Sequence, residues 1–177
     1  MATKFTVTTK GIPEVDALLK KFTGPEVKRT LHQRWGIQGM NWVDQNFKQQ
    51  GALTGSPWAA LRPSTIAGKG SSTILQDSGR LKQSFVMTYD VNQAAIGSPV
   101  FYGQYHEEGR TGPWAIRPKR PGGVLAWKGI DGKMVFAKQV MHPGYPQRRM
   151  LPRATDETFM SKLRLVAANL FNELSGK

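Results

Sequence analysis

Ser84-Phe85-Val86-Met87-Thr88-Tyr89-Asp90-Val91-Asn92-Gln93-Ala94-Ala95-Ile96 is the stretch on which the fold class turns. Apolar, β-branched and aromatic residues dominate Ser84–Val91, and a second short run covers Gln93–Ile96. Asp90-Val91-Asn92 joins them with turn residues, so the pattern predicts two strands and a hairpin-type turn. Helical spacing lies on both sides. Upstream, Val27, Leu31, Trp35, Met40, Val43 and Phe47 recur at helical intervals up to about Gln50, opened by Thr23-Gly24-Pro25-Glu26. Gly36 and Gly39 interrupt that helix, which implies a kink or a close packing contact. Downstream, Phe159, Leu163, Val166, Leu170 and Leu174 form one apolar stripe over Thr155–Leu174. Thr155, Asp156 and Glu157 suit its start and Gly176 its end. Strands flanked by helices give an α+β fold: an antiparallel sheet packed against a long helix in the N-terminal half and a C-terminal amphipathic helix.

The remaining segments fill in that frame. Lys4–Thr9 alternates like a short strand, and Pro13 suits the first turn of a helix over Glu14–Phe22. Gly51–Ser72 is a loop with a helical turn near Ser64–Ala67, with Trp58 and Leu61 tucked under it as anchors. Asp77 or Ser78 suits the cap of a short helix leading into Leu81 and Phe85. Phe101–His106, rich in aromatic residues, reads as another strand. Val124–Trp127 and Met134–Ala137 flank turn residues at Lys128–Lys133, the pattern of a hairpin carried on long loops. The expected organisation is one domain over 1–177, with a core at 1–108 and 150–177 and an extended basic arm at 109–149.

A chain of 177 residues is long enough to bury roughly 70% of its unfolded surface in one core. No run approaches the ~18 apolar residues of a membrane span, and Met1–Val7 lacks the apolar stretch of a secretory signal. The absence of cysteine removes disulfides, thiolate zinc sites and cysteine catalysis. Charge carries the strongest functional signal, with 25 Lys and Arg against 12 Asp and Glu. Between Gly109 and Arg153, Arg110, Arg117, Lys119, Arg120, Lys128, Lys133, Lys138, Arg148, Arg149 and Arg153 face only Asp131, so +9 of the net +13 sits in a quarter of the chain. That density, interleaved with Trp114, Trp127 and Tyr145, favours contact with a polyanion or an acidic neighbour over a solvated loop.

Catalytic patterns are weak by comparison. His106-Glu107-Glu108 is followed by Gly109 and Arg110, so the second histidine of a zinc-protease helix is missing, and solvated carboxylates on a turn are the expected reading. His32, His106 and His142 show no spacing that would bring them together around a metal. Gly68-Lys69-Gly70-Ser71 lacks the glycine spacing of a phosphate loop, and Ser78 is not in a nucleophile elbow. The expectation is therefore no catalytic residue, no metal and no cofactor.

One ordered set of motifs resembles a known family. Trp58-x-x-Leu61-x-Pro63-x-Thr65 is followed by Ile74-Leu75-x-Asp77-x-Gly79-x-Leu81-x-x-Ser84, then Ile96-Gly97-Ser98. Tyr102-Gly103-x-Tyr105-His106-Glu107-x-Gly109 comes next, and Pro152 precedes the last helix. The order resembles the virion-morphogenesis and tail-completion proteins of tailed bacteriophages. This chain has Met150 where the family pattern carries phenylalanine, and Thr111–Gln147 is a long insert. Trp58, Leu61, Leu75, Gly79, Leu81, Gly97, Tyr102, His106, Gly109 and Pro152 are the family-motif positions, with structural jobs of their own: turns at Gly79 and Gly109, and plugging of the sheet by Leu75 and Leu81.

The resemblance implies a non-enzymatic neck or upper-tail part of the virion, made in the host cytoplasm. It implies a ring oligomer, hexameric, around the DNA channel, with connector, stopper, tail-terminator or tube proteins as neighbours. Non-specific contact with genome DNA is expected, and no membrane partner. Arg110, Arg117, Lys119, Arg120, Lys128, Lys133, Lys138, Arg148 and Arg149 are the expected contacts to polyanion or neighbour. The rival readings are a free sequence-independent nucleic-acid-binding protein and a small phage hydrolase using Glu107 or Glu108.

Overall fold

A computed structural model describes residues 20–129 and 131–176. The expected strand at Lys4–Thr9 and most of the expected helix at Glu14–Phe22 lie outside them; 20–23 are helical. The described elements mix helix and strand. Helix α1 spans Pro25–Lys48, α2 Pro63–Lys69, α3 Arg80–Gln83, α4 Tyr102–Glu108 and α5 Glu157–Ser175. Strands β1 (Val86–Tyr89) and β2 (Ala94–Gly97) pair with each other, as do β3 (Trp114–Ile116) with β6 (Val140–His142) and β4 (Leu125–Lys128) with β5 (Met134–Ala137). The α+β class holds, and among the described residues the strands form three separate two-stranded sheets where the sequence suggests one.

The chain parts into two compact units. One takes residues 20–40, Met87–Ile96 and 153–176. Its helices and hairpin interlock through glycine. Gly36 and Gly39 are buried on α1, and a Cβ on Gly39 would stand 1.9 Å from Ile96 Cδ1. A Cβ on Gly36 would meet Met87 Sδ at 3.0 Å. Of the two readings open from the sequence, close packing is therefore the reason for these glycines. The hairpin turn is fixed by Asp90 Oδ1, which accepts from the backbone N–H groups of Asn92 and Gln93 at 2.6 and 2.9 Å. Trp35 Nε1 donates to Leu163 O at 3.0 Å, Phe22 stacks on Phe171, and Arg34 forms a two-pronged bond to Glu173. The α5 stripe faces inward as its period predicts: Leu170 is buried, while Leu165 and Phe171 on the other face are exposed. Gly176 ends the helix in the left-handed conformation.

The second unit comprises Asn41–Val86 and Gly97–Pro152. Its core joins Trp42, Val43 and Phe47 of α1 to Trp58, Ile74, Leu81, Phe85 and Met150. Phe47 meets Trp58 and Phe85 edge to face at 5.3 and 5.9 Å. Trp58 is the loop anchor that the sequence suggests: its indole is buried and Nε1 donates to Arg149 O at 3.0 Å.

Two local readings are corrected here. Phe101–His106 is not a strand; Phe101 precedes helix α4, with Gly103 buried beneath it. A Cβ at Gly103 would touch Leu81 Cδ1 at 3.2 Å and Met150 Cε at 4.0 Å, so the missing side chain lets a helix lie on that core. Strand propensity of the aromatic residues yields to this packing. At α3, Gly79 with φ 76° holds the N-cap position rather than Asp77 or Ser78, and no side chain caps the helix end; Ser78 Oγ only approaches the Arg80 N–H at 3.4 Å.

Candidate functional site

The motif residues scattered from Leu61 to His106 converge. Leu61, Leu75, Gly79, Leu81, Tyr102 and His106 all line one cleft of about 720 Å³ in the second unit. The lining also takes His142, Tyr145 and Arg148 from the far end of the basic segment. Leu75, expected to plug the sheet, instead borders this cleft half-buried, with a left-handed φ of 56° that is rare for a branched side chain. Arg62, Lys69, Arg80 and Arg148 supply positive charge to the lining against Asp77. Lys69 Nζ is spent on Thr73 O; Arg62 and Arg80 are exposed.

Arg148 is the unusual member. It is 8% exposed, and its Nη2 donates to Ala59 O at 3.1 Å while Nε has no partner. No carboxylate among the described residues pairs with it. Burial alone pulls its pKa down from the usual arginine value, yet a guanidinium stays charged. Burial of a cation without a counter-ion is costly. His106 lies beside it: the Arg148 N–H donates to His106 O at 2.7 Å. Burial first, and the Arg148 charge second, lower the His106 pKa below its ordinary value. Its Nδ1 is buried and unpaired.

The segment after Gln147 is pinned, not free. Glu107 Oε2 accepts from the N–H groups of Met150 and Leu151 at 2.6 and 3.3 Å. Arg149 O accepts from both Asn46 Nδ2 and Trp58 Nε1, and Arg149 Nη2 donates to Thr54 O at 3.2 Å. Gly109 completes the strap: its φ is 68°, and any Cβ would lie 2.6 Å from the Gln147 nitrogen. Arg148 is thus buried at the cleft wall and not spread on the open surface, and Arg149 is half-buried. The carboxylates expected on a solvated turn sit on α4 instead, with Glu107 serving the backbone and Glu108 accepting from Gln104 at 2.8 Å.

The other seven basic positions behave differently. Arg110, Arg117, Lys119, Arg120, Lys128, Lys133 and Lys138 are exposed, and none forms an ion pair among the described residues. Lys128 lies on a strand, and the other six sit beside the strands or in the turns and loops of a ribbon made by the separate pairs β3–β6 and β4–β5. Trp114 pairs with His142, Ala115 with Met141 and Ile116 with Val140; farther out, Leu125 pairs with Ala137 and Lys128 with Met134. The outer pair is the hairpin expected from the sequence, and the inner pair was not foreseen. Trp114 anchors the base: its ring stacks on His142 at 4.3 Å, meets Tyr145 edge-on, and carries the Arg110 guanidinium at 4.1 Å. Val124, Met134 and Phe136 are more than half exposed on the outer hairpin.

His106 and His142 share the cleft, whereas His32 lies in the other unit with Nδ1 against Asp90 O at 2.9 Å. Among the described residues no group of three or more His, Asp or Glu is placed to hold a metal, and no helix is long and apolar enough to cross a membrane. Sequence reasoning missed Arg62, Arg80 and His142 as cleft residues; their convergence depends on contacts between distant segments.

Residues 14–162 match the phage virion morphogenesis family, and the chain belongs to it. Its role is accordingly in the structure or morphogenesis of a phage particle. No curated protein and no solved structure matches the chain.

Proposed function

We propose that this protein is a non-enzymatic tail-completion or head–tail joining component, sited in the neck or upper tail of the virion. It forms a ring, hexameric, through which the genome passes, and it meets connector or stopper proteins on one side and tail-terminator or tube proteins on the other. The observation that carries this reading is the ribbon of seven exposed cations, without ion-pair partners among the described residues, in a member of a morphogenesis family. A closed ring repeats that ribbon around its axis, and summed positive charge suits backbone contact with passing DNA without reading its sequence. The tie between Glu107 and the Met150 and Leu151 N–H groups supports a structural role for that carboxylate over a hydrolytic one.

The test is negative-stain microscopy of lysates from the parent virus with this gene disrupted. DNA-filled heads lying apart from tails are the expected outcome. Intact particles would overturn the reading and favour a free nucleic-acid-binding protein, whose monomer would bind duplex DNA with affinity falling steeply with added salt.

A further inference from the structure

We infer that the cleft around Arg148 is a docking site for an acidic, extended peptide segment of a different protein. The inference rests on the assembly reading only for the source of that segment. The physical case comes from the cleft itself. Among the described residues Arg148 is a buried cation with no counter-ion at the wall of an open cavity, and Arg62 and Arg80 stand exposed on the same lining. A guest carboxylate would supply the compensation that the described residues do not provide. Tyr102 and Tyr145 share that lining, and Leu61 and Leu81 add apolar surface to it. The guest that fits carries carboxylates and apolar side chains together.

Size and composition narrow the occupant. A cleft of about 720 Å³ is in the range that encloses a small guest. Duplex DNA, whose major groove alone is about 12 Å wide, presents its phosphates on a convex rod that such a cleft cannot enclose. A second copy of this chain is a poor donor, since its 12 acidic residues nowhere run more than two in succession. The acidic segment therefore comes from another protein, and the ribbon remains available for DNA.

The experiment uses the full-length protein and hexaglutamate as the probe, followed by NMR of the His106 and Tyr102 rings. Saturable shifts of both rings are expected. Arg62→Ala with Arg80→Ala should weaken the binding at least tenfold, while Lys28→Ala with Lys162→Ala, the same loss of charge in the other unit, should leave it within twofold. Arg148→Met should lose the binding while the melting temperature holds or rises, because a charge without a counter-ion has been removed. Shifts confined to the ribbon, equal weakening by the two double variants, or displacement of the peptide from the cleft by a short DNA duplex would each overturn the inference. Because the assay needs no particle, it can fail while the microscopy phenotype stands, and the reverse.

Discussion

Two parts of one basic run have opposite fates. Arg117–Lys138 and Arg148–Leu151 look alike in sequence, as cations among Gly, Pro and short apolar patches. In the fold the first is a ribbon with its cations in solvent. The second is threaded through the core of its unit, held by Glu107, Asn46 and Trp58. Charge density alone cannot separate them, because what decides is whether backbone N–H and C=O groups find partners away from water. Residues 148–151 find theirs in side chains. The ribbon finds its partners within itself, which leaves its side chains free for contact with something else.

The sharpest way to break this contrast is at the pin. Trp58→Ala removes a buried indole, its edge-to-face contact with Phe47 and the bond to Arg149 O. A loss of about 3–5 kcal/mol is expected in urea or thermal unfolding. A loss under about 1 kcal/mol would mean that the segment is not held there. Next in size is Glu107→Ala, which leaves the N–H groups of Met150 and Leu151 without their acceptor and should cost about 1–3 kcal/mol. Glu108→Ala, one residue on but exposed, should change stability by less than about 0.5 kcal/mol. Equal effects at the two glutamates would erase the distinction between strap and surface.

Legibility followed the range of the interaction. The α5 stripe, the Asp90 turn and the Leu125–Ala137 hairpin depend on neighbours in sequence, and period and turn chemistry expose them. Gly39 was legible as a question only: its spacing shows an interruption, but Ile96, the group it makes room for, lies far along the chain. Phe101–His106 misled because aromatic residues favour strands until a small residue such as Gly103 offers a helix a seat on Leu81. The motif order led to the cleft without revealing it. Six motif positions line it, yet Arg62, Arg80 and His142 carry no local sign of their role. Arg148 was counted among surface cations because nothing in its flanking residues announces burial.

A titration separates the two regions more finely. His106 has a pKa in the fold below its unfolded value, so between those values the unfolded chain holds more protons and stability rises with pH. The His106 contribution is complete above about pH 6.5, the ordinary histidine value, and is lost as the pH falls toward the lower value of the fold. Melting temperatures measured downward from pH 7 should therefore drop, and His106→Asn should flatten that part of the curve. Persistence of the full slope in the variant would show that the buried imidazole is not its source.

The smallest effect on stability belongs to the ribbon, and there it is diagnostic. Reversal of Lys119, Arg120, Lys128 and Lys133 to glutamate touches exposed side chains without ion partners among the described residues. Each change should move stability by less than about 0.5 kcal/mol, so the melt stays near that of the parent. On the proposed function particle assembly should nevertheless fail, with separated heads and tails, because the reversed charge would repel the DNA or acidic neighbour proposed to contact the ribbon. A collapsed melt would mean that these lysines and the arginine support the fold; a normal melt with normal particles would mean that the ribbon's charge serves neither fold nor assembly. Only a stable protein that cannot assemble keeps the two halves of the basic run physically distinct, one packed into the fold at the cleft wall and the other carried in solvent.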